Sequence, residues 1–150
     1  MTVVIDANLI AALVLSLPYS ELASQKIVAW KKSGREIVAP FLMEYELASV
    51  FRKAIHLKTC SPAEVPIAFQ KIDELNIHLV PPTVHLHQKA LEWAEKIGQM
   101  VAYDAHYLAV SEDFSADFWT ADERLAKAAQ ACGAGWVYWL NSENSIQNAD

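Results

Sequence analysis

The sequence predicts an α/β fold with a mostly parallel central sheet of about five strands and helices on both faces. Short β-branched and aromatic runs alternate with helical segments of ten residues or more, which is typical of parallel sheets with helical crossovers. The first run, residues 3–5, is continuously apolar, as expected of a strand that is buried on both faces. A chain of 150 residues fits one domain, and no repeat or linker-like segment divides it.

In the first half of the chain, a short helix over residues 9–15 follows the opening strand. Ser20 is typical of an N-cap and Gly34 of a glycine C-cap, so a second helix is predicted over residues 20–33. Residues 36–39 form the second predicted strand. Pro40 then begins a helix that extends to about residue 57, because proline is tolerated in a first helical turn.

In the second half, Ser61, Pro62 and Glu64 supply an N-cap, a proline at the first helical position and an acid two residues later, which predicts a helix through residue 75. The remaining predicted strands are residues 77–80, 117–120 and 136–139, and the remaining helices are residues 83–98, 102–110 and 123–131. The polar segment 142–150 is expected to be a frayed tail. Residues 1–141 are therefore the predicted domain.

Composition narrows the class of protein without fixing its partner. The net charge is −6, with 18 acidic against 12 basic residues. This balance weakens nonspecific nucleic-acid binding through bulk charge, although acids around a divalent cation reverse the local sign. Cys60 and Cys132 form no CxxC pair and the N-terminus opens into a predicted strand, so we expect a cytoplasmic protein without a signal peptide. No apolar stretch reaches the ~20 residues of a membrane span.

Four acidic residues are candidates for chemistry, and two of them follow the ends of predicted strands. Asp6 follows the first strand and Asp122 the fourth, while Glu46 and Asp104 lie on helices between them. Ligands of open α/β sheets bind beyond the carboxyl ends of the strands, where four carboxylates would repel one another without a cation. Oxygen ligands favour Mg²⁺ or Mn²⁺, and such ions promote the hydrolysis of phosphate esters.

Each of these acids also has a purely structural interpretation. Either Asp6 or Asn8 could be the N-cap of the first helix, and Asp104 could cap the sixth. Thr120 with Glu123 fits a capping box, which would leave Asp122 as a first-turn acid on the helix dipole.

The acid on the third helix is ambiguous, because Glu44 competes with Glu46. On a helical wheel from Pro40, the apolar arc includes Glu44, while Glu46 lies at its flank beside Lys53. A catalytic acid needs a side that faces a wet pocket, which slightly favours Glu46. The wheel alone leaves both residues open.

Four segments in order carry a family resemblance: Val4-Ile5-Asp6-Ala7-Asn8, Pro40-Phe41-Leu42-Met43-Glu44-Tyr45-Glu46-Leu47-Ala48, Tyr103-Asp104-Ala105-His106-Tyr107-Leu108-Ala109 and Thr120-Ala121-Asp122-Glu123-Arg124-Leu125. With this order and secondary structure, the chain resembles the PIN-domain ribonucleases and, within that family, the VapC-type toxins of bacterial toxin–antitoxin systems. The resemblance spans almost the whole chain. It implies a PIN-like three-layer α/β/α fold.

The resemblance also implies the roles of individual residues. The acidic tetrad that holds Mg²⁺ or Mn²⁺ would be Asp6, Glu46, Asp104 and Asp122. The pattern Pro-x-Leu-x-x-Tyr-Glu assigns the family's acid to Glu46 rather than Glu44. Asn8 matches a small polar residue two positions after the first acid, and Thr120 matches a hydroxyl two positions before the last.

The function that the resemblance implies is metal-dependent endonucleolytic cleavage of RNA by a type II toxin. Its expected partners are RNA, a cognate antitoxin protein and a second copy of the chain in a homodimer. The alternatives are a solitary PIN-domain RNA-processing nuclease and a non-catalytic PIN-like interaction protein. Candidate phosphate contacts are Lys31, Lys32, Arg35, Arg52, Lys53, Lys58, Arg124 and Lys127. Candidates for base stacking are Tyr103, Tyr107, Trp119, Trp136 and Trp139, although their spacing fits core or dimer-interface positions better.

Overall fold

The computed structural model describes residues 1–141 and builds its sheet from five strands. The strands are β1 (Thr2–Ile5), β2 (Glu36–Pro40), β3 (His78–Val80), β4 (Asp117–Thr120) and β5 (Val137–Trp139). All neighbouring pairs are parallel, in the order β3-β2-β1-β4-β5. The predicted tail, residues 142–150, lies outside the described residues.

The helices of residues 1–141 are α1 (Ala7–Ala11), α2 (Ser20–Lys32), α3 (Leu42–His56), α4 (Glu64–Asp73), α5 (Val84–Lys96), α6 (Tyr103–Phe114) and α7 (Glu123–Ala131). These helices cover both faces of the sheet. Two adjacent residues of β4 show this, because successive side chains of a strand point to opposite sides. The Phe118 ring stacks on Tyr107 of α6, whereas the Trp119 ring packs against Trp30 of α2. The predicted three-layer α/β/α fold is confirmed.

The order in which the chain adds strands reverses at the centre of the sheet, between β1 and β4. From β1 the chain adds β2 and β3 on one side, and then returns to place β4 and β5 on the other. Val4 pairs with Val38 of β2 and with Phe118 of β4. Such a switch point leaves a crevice at the carboxyl ends of the two central strands.

The core of the described residues is centred on this strand pair. Val3, Val4 and Ile5 are completely buried, as is Phe118 of the neighbouring strand. The predicted continuous apolar run is therefore a central strand covered on both faces. None of the helices of residues 1–141 combines the length and apolarity that crossing a membrane requires.

Pro40 does not begin a helix as predicted; it is the last residue of β2, opposite Val80 of β3. The Phe41 amide donates to the Val80 carbonyl at 2.9 Å and extends the pairing, so α3 starts only at Leu42. The nitrogen of Pro40 faces the β1 side, because strand amides alternate in direction. The last β1–β2 pair is Val4 with Val38, so the missing N–H costs no hydrogen bond there.

Two predicted N-caps also differ in the structure. Ser20 is the first residue of α2, and its hydroxyl bonds the amide of Leu17 and the carbonyl of Leu15 in the preceding turn. Helix α4 starts later than predicted, at Glu64, whose carboxylate accepts from the Ser61 amide at 2.6 Å. In both cases the side chain stabilises the turn before the helix.

Replacement of leucine by alanine should destabilise the protein much more at a buried position than at an exposed one. Leu108 on α6 is completely buried, whereas Leu91 on α5 is 63% exposed. We expect Leu108→Ala to lower the free energy of unfolding by about 2–5 kcal/mol, and Leu91→Ala to change it by at most about 0.5 kcal/mol. Urea unfolding followed by circular dichroism measures both values. Equal losses would contradict the packing of α6 against the sheet.

Candidate active site

A cavity of about 490 Å³ lies beyond the carboxyl ends of the central strands. The four predicted acids all line it, and so does Asn8: the acids are Asp6, Glu46, Asp104 and Asp122. Thr120 is completely buried and reaches the site only through its hydrogen bonds. Glu44 is absent from the lining. Residues that are distant in sequence are thus brought to one place, at the predicted edge of the sheet.

Asp6 is buried, with 6% of its surface exposed. The Leu9 amide donates to its Oδ1 at 2.8 Å, so Asp6 is the N-cap of α1. Its Oδ2 accepts from the Thr120 hydroxyl at 2.5 Å and from the Ala121 amide at 3.2 Å. The capping interpretation and the cavity interpretation therefore both describe Asp6, and its carboxylate ties α1 to the end of β4.

Burial dominates the protonation of Asp6. It raises the pKa of this carboxyl group from 3.8 to about 6, and the negative charge of Asp104 adds to the increase. The hydrogen bonds from Thr120, Leu9 and Ala121 act in the opposite direction. A positive charge in the cavity would favour the ionised form of Asp6.

Glu46 lies on α3 and is held by Tyr107, whose hydroxyl donates to Oε2. Burial raises the pKa of Glu46, the Tyr107 bond lowers it, and the charges of Asp104 and Asp6 raise it further. Burial and the neighbouring Glu46 also raise the pKa of the Tyr107 hydroxyl well above its usual value. Tyr107 therefore remains a protonated donor.

Asp104 lies in the first turn of α6, but Ala102 occupies the N-cap position, so the capping alternative for Asp104 is wrong. Its Oδ2 accepts from the Gln99 amide group at 2.9 Å. Within residues 1–141 the Oε1 atom of Gln99 is buried without a hydrogen-bond partner. Gln99 thus keeps its orientation toward Asp104 at the cost of an unsatisfied oxygen.

Asp122 is the N-cap of α7, so the capping box that begins at Thr120 is wrong. Its Oδ1 accepts from the amides of Arg124 and Leu125 at 2.9 and 3.1 Å. The Thr120 hydroxyl accepts from the Asp122 amide at 2.9 Å while it donates to Asp6. This single hydroxyl therefore connects two of the acids.

Sequence reasoning did not identify Tyr107 or Gln99 as residues that position the acids. Tyr107 follows Asp104 by three positions on α6, and this spacing places both on one helix face. That spacing was the available signal for Tyr107. Gln99 lies in the loop before α6, and no sequence pattern indicates its contact.

The residues of the cavity fit a divalent cation. Their ligand atoms are carboxylate and amide oxygens, which suit Mg²⁺ or Mn²⁺. Burial first, and the neighbouring carboxylates second, raise the pKa values of Asp6 and Glu46, and a bound cation would oppose both effects. In the part of the chain that the structure describes, no three acidic, histidine or cysteine side chains form a ready cluster of metal ligands. Mg²⁺ keeps several waters and binds through one or two carboxylates, so it does not require such a cluster.

The family comparison identifies the class of protein. The family model described as PIN domain matches residues 4–136. The chain therefore belongs to the PIN-domain family, and the resemblance inferred from its four segments is confirmed. A comparison with curated protein sequences found no match.

Solved structures agree with this fold. PAE2754 from Pyrobaculum aerophilum is similar with a TM-score of 0.64 and 20% sequence identity, and the match covers 85% of this chain and 79% of that one. VapBC2 from Rickettsia felis, bound to a DNA fragment from their promoter, has a TM-score of 0.67 and 11% identity, with coverages of 94% of this chain and 100% of that one. FitAcB from Neisseria gonorrhoeae has a TM-score of 0.61 and 18% identity, with coverages of 93% of this chain and 96% of that one. At these identities the likeness concerns the fold.

The buried carboxyl group of Asp6 should make stability depend on pH. It binds its proton more tightly in the folded protein than in the unfolded chain, so this stabilisation is complete below about pH 3.8 and is lost as the pH rises through about 6. The loss is on the order of 3 kcal/mol. In urea unfolding with a chelator, Asp6→Asn should lose less stability than the wild type between about pH 4 and about pH 8. Parallel pH profiles would contradict the buried carboxylate.

The Thr120 hydroxyl should stabilise the site through its two bonds. Thr120→Val keeps the side-chain volume but removes the donor to Asp6 and the acceptor for the Asp122 amide. We expect it to lower the free energy of unfolding by about 1–3 kcal/mol, whereas Thr120→Ser, which keeps the hydroxyl, should lose less. Urea unfolding followed by circular dichroism measures both variants, and equal stabilities of Thr120→Val and Thr120→Ser would argue against the bridging hydroxyl.

Proposed function

We propose that this PIN domain is an Mg²⁺- or Mn²⁺-dependent endoribonuclease and the toxin of a type II toxin–antitoxin pair. The observation that carries the proposal is the gathering of Asp6, Glu46, Asp104 and Asp122 around one cavity by separate elements of a PIN fold. The pKa values of buried Asp6 and half-buried Glu46 are both raised, and acids with perturbed pKa values are typical of functional sites.

The chain's own residues have distinct tasks in this reaction. A bound cation supplies charge stabilisation for the phosphoryl group and lowers the pKa of water. Asp6, Glu46, Asp104 and Asp122 would supply the carboxylate oxygens, of which one or two would hold the cation directly. Tyr107 occupies Oε2 of Glu46, so the other oxygen, Oε1, is the atom that would take up a proton. No side chain acts as a covalent nucleophile.

The structure reduces the number of basic side chains that are candidates for contact with the phosphate backbone. Three of the candidate cations are engaged elsewhere: Lys31 with the Leu75 carbonyl, Arg35 with Asp117, and Lys127 with Glu123. Arg52 and Lys53 are exposed on α3, the helix of Glu46, and Arg124 is exposed on α7 next to Asp122. These three cations lie on elements of the site and are the favoured phosphate contacts.

The proposed partners are an antitoxin protein, which would cover the acidic cavity, and a second copy of the chain in a homodimer, within the cytoplasm. The sequence resemblance to VapC-type toxins and the fold shared with VapBC2 and FitAcB support this assignment. A solitary RNA-processing nuclease is the second candidate. A short upstream reading frame that encodes a DNA-binding N-terminus would favour the toxin.

Cleavage of total RNA and tRNA with Mn²⁺ or Mg²⁺ tests the proposal. We expect Asp104→Asn and Glu46→Gln each to lower the cleavage rate by about 100-fold or more, and a chelator to abolish cleavage. Glu44→Gln is the matched control, because Glu44 lies on the same helix outside the cavity lining. Its rate should remain within about twofold of the wild type.

Two results would reject the nuclease function. One is a folded, inhibitor-free wild type that cleaves no RNA with either metal. The other is equal cleavage by the wild type, Asp104→Asn and Glu46→Gln. That result would favour the alternative function, a non-catalytic interaction protein.

A further inference from the structure

A second cavity, of about 580 Å³, adjoins the acidic cavity and differs from it in character. Leu42, Tyr45 and Tyr103 line both cavities, so the two lie side by side and share these side chains. The rest of this aromatic groove, as we call the second cavity, is lined by apolar side chains and by two histidines, with no Asp, Glu, Lys or Arg. Its chemistry therefore suits a flat, uncharged group rather than a phosphate or a cation.

The walls of the aromatic groove present large exposed rings. Tyr45 is 67% exposed and Tyr103 is 61% exposed. Phe41 is 42% exposed, and its ring lies 6.2 Å from that of Tyr45, tilted by 59°. Aromatic rings that remain open to solvent beside a cleft are platforms on which nucleobases stack.

The two histidines give the aromatic groove one polar edge. His106 contacts His87, although the two residues are 19 positions apart in the sequence. A carbonyl only accepts, so His106 Nδ1, at 2.6 Å from the Ala102 carbonyl, carries the proton. Its Nε2 then accepts from His87 Nδ1 at 2.9 Å. The Nε2 atom of His87 takes no part in either of these bonds and can contact a base edge.

We propose that the aromatic groove holds the base of an unpaired RNA nucleotide next to the phosphodiester in the acidic cavity. This inference rests on the proposed nuclease function. A strand that places one phosphodiester at the acids must pass the shared side chains, and its adjoining base is a flat apolar ring with a polar edge. The base must be unpaired, because a base in a helix has its faces covered by neighbours.

The course of α3 supports a nucleic-acid strand as the occupant. Tyr45, Glu46 and Ser49 line the acidic cavity, and the same helix face continues one turn later to exposed Arg52 and Lys53. The sequence along this face is therefore a stacking ring, an acid and then two cations. This arrangement matches a base, a metal-held phosphate and the next phosphates of one strand.

A double-mutant cycle, which pairs tyrosine substitutions in the full chain with abasic nucleotides in the RNA, tests the proposal. The cleaved bond is first mapped on a single-stranded RNA, and each neighbouring nucleotide is then replaced by an abasic one. We expect Tyr45→Ala and Tyr103→Ala to lower kcat/KM by about 5- to 150-fold. One abasic position should cause a similar loss in the wild type and almost no further loss in the variants, since the two changes remove the same contact.

The controls separate stacking from other roles of the tyrosines. Tyr45→Phe and Tyr103→Phe keep the ring and should retain most of the activity. Val28→Ala removes an exposed apolar side chain on α2 that lines neither cavity, so its kcat/KM should remain unchanged. Losses in Tyr→Ala that add fully to the abasic losses would overturn the proposal.

Photocrosslinking distinguishes failure of this proposal from failure of the nuclease function. A single-stranded RNA that carries 5-iodouridine should crosslink to Tyr45 or Tyr103, as read by mass spectrometry, whether or not it is cleaved. Crosslinking without cleavage would reject only the nuclease function. Cleavage with neither a crosslink at these rings nor an abasic effect would reject only the base site. If the Tyr→Ala variants instead convert a dimer to a monomer without any abasic effect, the aromatic groove is an interface between copies and the base site is rejected.

Discussion

The buried carboxylate of Asp6 is the interaction on which the site depends. It receives hydrogen bonds from Leu9, Thr120 and Ala121, and so fixes the start of α1 against the end of β4. These bonds satisfy its oxygens but do not offset burial, which keeps the pKa of the group at about 6. At neutral pH the protein therefore holds a charge that opposes folding. Such a residue is expected where binding a cation, rather than stability alone, determines the side chain.

The parallel topology explains why one buried carboxylate can organise residues from the whole chain. All five strands of residues 1–141 run in the same direction, so all their carboxyl ends lie at one edge of the sheet. The reversal of strand order between β1 and β4 opens the crevice at that edge. Asp6 and Thr120 are 114 positions apart in sequence, yet they meet because their strands are neighbours. The helices then bring Glu46 and Asp104 to the same crevice from α3 and α6.

The sequence predicted the alternation of strands and helices, and it singled out Asp6 and Asp122, because hydrophobic runs and residues after strand ends are local signals. Glu46 and Asp104 lie on helices, and the family resemblance rather than a local signal gave them their roles. Sequence reasoning failed where a side chain had a tertiary partner that competed with a local one. The Thr120 hydroxyl fitted an N-cap, but it bonds Asp6, and Asp122 takes the capping role instead. Pro40 fitted a first helical turn, but pairing with Val80 keeps it in a strand. The contact of Gln99 with Asp104 depends on how the loop before α6 packs, and no spacing rule indicates it.

On the proposed function, the two adjoining cavities would divide recognition from chemistry. The acids and a bound cation would act on a phosphodiester, which is the same at every position of an RNA, so the acidic cavity alone would offer no basis for selecting a sequence. Bulk charge also supplies no affinity for RNA, because the net charge of −6 repels a polyanion. If RNA is the substrate, as proposed, its affinity would come from the bound metal ion, from a few basic side chains such as Arg52, and from stacking. The aromatic groove is the part of this surface that can contact a base, and Tyr45 and Tyr103 couple it to the acids because they line both cavities. A strand that fills the groove would also align its phosphodiester with Asp6 and Glu46, so selection of the base and positioning for cleavage would be one event.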